Sequence, residues 1–220
     1  MVTPLLPAEL QRLPMFPLPK LVFFPHTLLP LHIFEPRYRK MTADVLAQKL
    51  PLAIVQLKEG ARTPDEVFPV AGVGRIVEHR TLPDGRYQLM LAGVGRVRIR
   101  EELDSDQPYR VVQAELLSDE LHPTEQVRLH AARLTLQGLA LSLTRTNPRL
   151  AGVLSEILRI SDGPATLADV LASIFVPDPA ERQLLLETLE VEKRLSRVID
   201  AVAEVAAEPP AGTPSGQLLN

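Results

Sequence analysis

The chain has 220 residues, 45% hydrophobic and 23% charged, with a net charge of −3, the composition of an ordinary globular protein rather than a disordered or strongly basic one. A domain of this size hides roughly 70% of its unfolded surface, so it needs no covalent staple, and the mild acidity argues against nucleic acid, which calls for a basic face. Cysteine is absent, which excludes disulfides, thiolate zinc sites and cysteine nucleophiles.

Proline, at 21 residues, punctuates the first part of the chain. Leu13–Leu18, LPMFPL, predicts an edge strand or an extended segment, because proline cannot donate to a central ladder. Leu28–Phe34 predicts a second short strand. Pro36 then suits the first turn of a helix, where its missing N–H costs nothing, and Tyr38, Met41, Val45 and Leu46 follow at helical spacing to an end near Leu50. Leu52–Leu57 reads as a buried strand and 59–66 as a polar loop. Pro83-Asp84-Gly85 sits between two β-rich runs and predicts a hairpin, since it supplies a preset φ, a side-chain acceptor and a positive-φ residue. Tyr109–Leu117 is one more strand.

The pattern changes near Ser118. Leu129, Ala132, Leu136, Leu139 and Leu143 form one apolar stripe on a long helix, which Asn147-Pro148 breaks. A helix over about 148–160 follows. Thr166 and Asp169 form a capping-box-like start for the next, and Asp178-Pro179-Ala180-Glu181 opens another with an N-cap, a proline and an acid. Leu195, Val198, Ile199, Val202 and Val205 give the last helix its apolar face. Strands first and helices second predict an α+β fold: a β-rich part over 1–118, a helical part over 119–207 and a flexible tail over 208–220. Charge divides similarly, with 15 basic against 14 acidic side chains in residues 1–119 and 9 against 13 in 120–220. The N-terminus has no basic region followed by an apolar run, and the longest apolar stretch, Leu21–Phe34, falls short of the ~20 residues of a membrane span, so a cytoplasmic protein is expected.

Candidate chemistry is sparse. His32 and Glu35 are close enough in sequence for proton chemistry, but a strand-to-helix corner explains them better, with Glu35 at the helix start paired to Arg39, and Phe34 and Tyr38 packed inward. The motif GVGR occurs twice, at Gly72–Arg75 and Gly93–Arg96. Neither copy feeds a helix, so both mark bulges or close backbone approach rather than a phosphate loop. The five histidines, His26, His32, His79, His122 and His130, make no metal motif, and no cofactor is expected. Arg96, Arg98 and Arg100 alternate along one strand face and, amid Glu101 and Glu102, read as a solvated sheet face; they are also the best support for an RNA-binding alternative, although no aromatic platform accompanies them.

Three stretches in order carry a family resemblance: LPMFPLPKLVFFPHTLLPLHIFEPRYRKM from Leu13, GVGRIVEHRTLPDGRYQLMLAGVGRVRI from Gly72, and LADVLASIFVPDPAERQLLLETLEVEKRL from Leu167. Together they resemble the N-terminal substrate-binding domain of Lon proteases, especially its free-standing bacterial form. The resemblance implies a PUA-like β pseudo-barrel followed by a C-terminal helical bundle. The family usually has glycine after FP where this chain has His26. The chain also lacks the G-x-x-x-x-G-K-[ST] of an ATPase and stops where that domain would begin. Cereblon, which is not a protease, shares the module. The implied role is that of a non-enzymatic polypeptide-binding module in protein quality control, holding unfolded or exposed apolar segments and working with a protease or chaperone. An RNA- or small-ligand-binding PUA-like module is the alternative. The apolar stretch LVFFPHTLL and the following helix place the expected peptide contacts at Phe24, His26, Phe34, Tyr38 and Met41. The two helical stripes are also candidate seams for self-association.

Overall fold

A computed structural model describes residues 3–58, 60, 66–121 and 126–207. A 3-10 turn, Pro7–Arg12, leads into β1 (Leu13–Pro19), β2 (Leu28–Ile33), α1 (Pro36–Gln48), β3 (Leu52–Leu57), β4 (Val70–Thr81), β5 (Tyr87–Leu103) and β6 (Arg110–Leu117). Five helices follow: α2 (Gln126–Thr146), α3 (Pro148–Ile160), α4 (Pro164–Phe175), α5 (Pro179–Glu187) and α6 (Val191–Ala207). The α+β order expected from the sequence is present. His122 and the tail lie outside the described residues.

The six strands form one sheet in the order β2-β5-β4-β3-β1-β6, with β6 also pairing β5. The pairings run round five strands, but β1 and β6 share only Leu13–Met15, so the barrel that the resemblance implied is not closed. β1 is therefore not the edge strand its prolines predicted. It pairs in parallel with β3 over Met15–Pro19 and antiparallel with β6 over Leu13–Met15. Most of its length is paired on one side only, which leaves room for nitrogens that cannot donate. The real edge is β2, which pairs with β5 alone.

Strand parity sorts the apolar side chains. Leu13, Met15, Ala53, Val55, Val73, Val97 and Val112 fill the barrel. Phe16, Ile54 and Leu91, on the opposite faces, pack with Tyr38, Met41 and Val45 of α1. β3 is buried on both faces, which is why LAIV is a continuous apolar run, and Gln56 next to it is buried as well.

The hairpin turns as predicted, with Gly85 at φ 78°. Pro36 is the first residue of α1, Asn147 caps α3 by accepting from the Leu150 amide at 3.2 Å, and Asp178 caps α5 by accepting from Ala180 at 3.2 Å. The two GVGR copies serve close approach. A Cβ on Gly72 would overlap the Phe23 carbonyl oxygen and one on Gly93 that of Phe24, so only glycine lets the FFP segment cross these strands. Their arginines act as clamps. Arg75 donates to the Thr3 carbonyl (2.9 Å), the Pro4 carbonyl (3.0 Å) and the Lys49 carbonyl (3.1 Å), and pairs with Glu9 at 2.7 Å.

Arg96 departs furthest from expectation. It is 2% exposed and lies between barrel and bundle, so the basic row with Arg98 and Arg100 is not a single solvated face. A β-bulge between Ile99 and Glu101 and an Arg100–Glu115 ion pair break the row further. Arg96 pairs with Asp169 of α4 at 2.5 Å, and Arg194 of α6 contacts Asp169 at 3.2 Å and Asp119 at 2.8 Å. Asp169 is fully buried in this cluster, and Gly163, not Thr166, occupies the N-cap of α4. Arg96 and Arg194 also donate to the Thr188 carbonyl, while Gln183 of α5 donates to the Val70 carbonyl of β4 at 3.0 Å.

The bundle core holds Leu129, Leu136 and Leu143 of α2 against Leu195, Val198 and Val202 of α6. The stripes read as seams for self-association thus meet each other inside one chain.

Candidate functional site

The five residues expected to contact a peptide do not form one surface. Phe24 is fully buried and joins the bundle core, Met41 is fully buried under the sheet, and Tyr38 is 6% exposed, with its ring 4.3 Å from that of Phe16. The barrel–bundle junction is thus filled by Phe24 rather than left open. His26 is exposed and Phe34 is 60% exposed, against the expectation that Phe34 packs inward.

His26 keeps the tight turn that glycine would supply. Its φ is 61°, its amide donates to the Gly93 carbonyl at 3.0 Å, and the Thr27 hydroxyl closes the turn on the Phe24 carbonyl at 2.6 Å. From this turn onward the chain alternates. His26, Leu28, Pro30, His32 and Phe34 are exposed, while Leu29 and Leu31 are half-buried and Ile33 is buried. Leu28, at 65% exposed, and Phe34 stand at the two ends of the β2 row, about 20 Å apart for an extended strand.

Beside this row lies an open trough of about 480 Å³, lined by Pro30, Leu31 and His32 of β2, Gln88, Leu89 and Met90 of β5, and Glu78, His79 and Arg80 of β4. Its floor follows from register: Pro30 pairs with Met90 and Met90 with Glu78, while His32 pairs with Gln88 and Gln88 with Arg80. The floor is mixed, Pro30 and Met90 beside His32 and Gln88, and the β4 rim is polar and charged.

The edge offers backbone as well. Pro30 sits inside β2 and has no N–H, so its nitrogen faces away from β5. Leu28 and His32 share its parity, which turns their N–H and C=O groups to the open side, where no strand among the described residues pairs. A trough, two exposed large apolar side chains and a free strand edge are what an extended peptide uses when it adds to a sheet.

Among the described residues no hydrogen bond or ion pair joins His32 to Glu35. Glu35, the N-cap residue of α1, accepts from Arg37 at 3.0 Å, not from Arg39, and Arg37 lies 4.5 Å over the Tyr38 ring. Arg39 instead lies against Gly85 of the hairpin turn. Sequence reasoning missed Leu28, Pro30 and the β4–β5 side of the trough. The signal for the first two was the period-2 alternation from His26 to Phe34; the rest depended on cross-strand register.

Residues 12–204 match the family model described as the ATP-dependent protease La (LON) substrate-binding domain. Curated relatives include the Lon protease of Desulfosudis oleivorans, 26% identical over 192 residues that make up 86% of this chain and 23% of that protein. The Lon protease of Paraburkholderia phytofirmans is 30% identical over 194 residues, 86% of this chain and 24% of that protein. The chain thus spans about a quarter of the length of the curated relatives it matches. Solved structures that share the fold include two Lon N-terminal domains. The Lon N-terminal domain protein of Xanthomonas campestris aligns with a TM-score of 0.60 at 23% identity, covering 86% of this chain and 97% of that one. The N-terminal domain of the Mycobacterium avium complex Lon protease aligns with a TM-score of 0.69 at 18% identity, covering 88% and 98%.

Proposed function

The chain belongs to the family of the ATP-dependent protease La (LON) substrate-binding domain, and from that premise we propose that it is a non-catalytic module that captures extended apolar segments of other polypeptides on the β2 edge, in protein quality control. The observation that carries this reading is the row of Leu28 and Phe34, 65% and 60% exposed, flanking a free strand edge and its trough. Main-chain groups of Leu28 and His32 would hold any sequence in extended form, and the apolar positions would favour hydrophobic side chains over polar ones. Such recognition suits exposed segments of unfolded proteins that form half-buried strands when folded, since these are apolar at every second residue. His26 borders the row and belongs to the proposed contact surface. Tyr38 and Met41 lie in the cluster beneath it with Leu29, Leu31 and Ile33, whereas Phe24 sits at the barrel–bundle junction. A protease or chaperone that receives the captured chain is the partner this role requires, and the setting would be the cytoplasm. Among the described residues no helix is long and apolar enough to cross a membrane.

The test is binding of a fluorescently labelled, permanently unfolded model protein. Leu28→Ser and Phe34→Ser together should weaken it by about tenfold, the scale of losing two exposed apolar anchors. Thermal unfolding should stay unchanged, because both side chains are exposed. Undiminished affinity in the double variant would end the assignment of this edge.

A further inference from the structure

We propose that the outer face of α2 is a second docking surface, built for an acidic amphipathic α-helix of another polypeptide. α2 turns Leu129, Leu136 and Leu143 to the bundle core. On the opposite side it exposes Val127 (80%), Leu134 (53%) and Leu141 (75%), with Ala131 and Gly138 between them. The intervals run four, three, four, three, which is the 3.5-residue period of a helix that wraps a second helix. The stripe is about 21 Å long. Gly138 is exposed inside the helix and nothing lies within 4 Å of where its Cβ would be. Glycine there costs about 1 kcal/mol relative to alanine without any gain inside the chain. The large Val127, Leu134 and Leu141 with the small Ala131 and Gly138 make alternating knobs and holes.

Charge selects the occupant. Residues 126–160 hold Arg128, Arg133, Arg145, Arg149 and Arg159 against the single acid Glu156, in a chain of net charge −3. Arg128 pairs with Glu192, Arg159 with Glu156, and Arg133 donates to the Leu158 carbonyl. Arg145, which continues the stripe, and Arg149, which opens α3, have no ion-pair partner among the described residues. A second copy of this chain would set one basic stripe against another, so the complementary occupant is acidic. An anionic lipid surface would also satisfy the arginines, but it has no use for a 3.5-residue period or for a hole at Gly138. A groove of about 570 Å³ between α2 and α3, lined by Gln137, Leu141, Leu158 and Arg159 among others, runs beside the stripe and gives the partner's flanking side chains a place to lie.

The test uses the whole chain and two labelled synthetic helices of about 18 residues, each with a leucine seam at 3.5-residue spacing, one flanked by glutamates and the other by lysines. Fluorescence anisotropy should show the glutamate helix binding at least about tenfold more tightly than the lysine helix, with affinity falling as salt rises from about 50 to about 500 mM. Leu134→Glu should abolish that preference with helix content unchanged by circular dichroism, and Arg145→Glu with Arg149→Glu should reverse it. The Leu28→Ser, Phe34→Ser variant should bind the glutamate helix as the parent does, which separates this surface from the β2 edge. Equal binding of both helices, or of neither, overturns the proposal. So does co-sedimentation with phosphatidylglycerol vesicles without binding of the glutamate helix, or a dimer at sedimentation equilibrium that Leu134→Glu dissolves.

Discussion

At the scale of single residues, the chain places non-glycine side chains where the backbone is left-handed. His26 has φ 61°, and the turn it makes sets the start of the exposed β2 row. Histidine tolerates this conformation better than a β-branched residue does. His26→Val should therefore lower stability by about 1–2 kcal/mol in urea unfolding, while His26→Gly should be neutral or slightly stabilising. The departure from the family's usual glycine was visible in the sequence; that the turn survives it depended on the Gly93 carbonyl and Thr27 hydroxyl that close it. Tyr109 is a second case. Burial, then its hydrogen bond to Asp44 at 2.8 Å and that carboxylate's charge, push its hydroxyl up to about 12. Because the folded value lies above the ~10 of an unfolded tyrosine, its contribution is complete below that pH and is lost as pH climbs towards the folded value. Tyr109→Phe should flatten the alkaline limb of the stability curve over that window, read from urea midpoints. An equally steep limb in the variant would show that another group governs it.

At the scale of elements, local signals were legible where a single residue type does one job. Pro36, Asn147 and Asp178 stand at helix starts because the first turn leaves its N–H groups unmet. β1 misled because its prolines are tolerated by pairing that changes partner midway along the strand. Asp169 misled because a capping-box spacing and a buried ion pair ask for the same residue type. The 3-10 turn shows how one clamp holds an element of low intrinsic stability. Burial alone would raise the Glu9 carboxyl, but hydrogen bonds from Arg75 and the Leu6 amide, with the guanidinium charge, hold it below its ordinary value. Its contribution is therefore present above the unfolded value near 4.5 and is lost as pH falls through the lowered folded one. Glu9→Gln should cost roughly 1 kcal/mol at neutral pH and nothing measurable once the parent is protonated, as followed by acid titration of urea midpoints.

At the scale of the whole molecule, the barrel and bundle are held together by Phe24 and by the Arg96–Asp169–Arg194–Asp119 cluster. Removing one partner leaves buried charge unmatched, so Asp169→Asn should cost about 3 kcal/mol or more and broaden or split the calorimetric transition as the two parts uncouple. Arg96→Met combined with Asp169→Leu should recover a large share of that loss, since an apolar pair removes the desolvation cost along with the charges. A single sharp transition in Asp169→Asn would show that packing around Phe24 alone couples the parts. The sequence by itself determined which segments are strands and helices, where several helices begin, and which family the chain resembles. Those properties are written in periodicity, capping residues and motif order within short stretches. Only the tertiary structure decided that β2 rather than β1 is the edge, that Phe24 fills the junction while Phe34 faces solvent, and that Arg96 is buried among carboxylates. Each of these is set by which distant strand or helix lies alongside, and a side chain's neighbours across a sheet or an interface leave no local mark in the order of the residues.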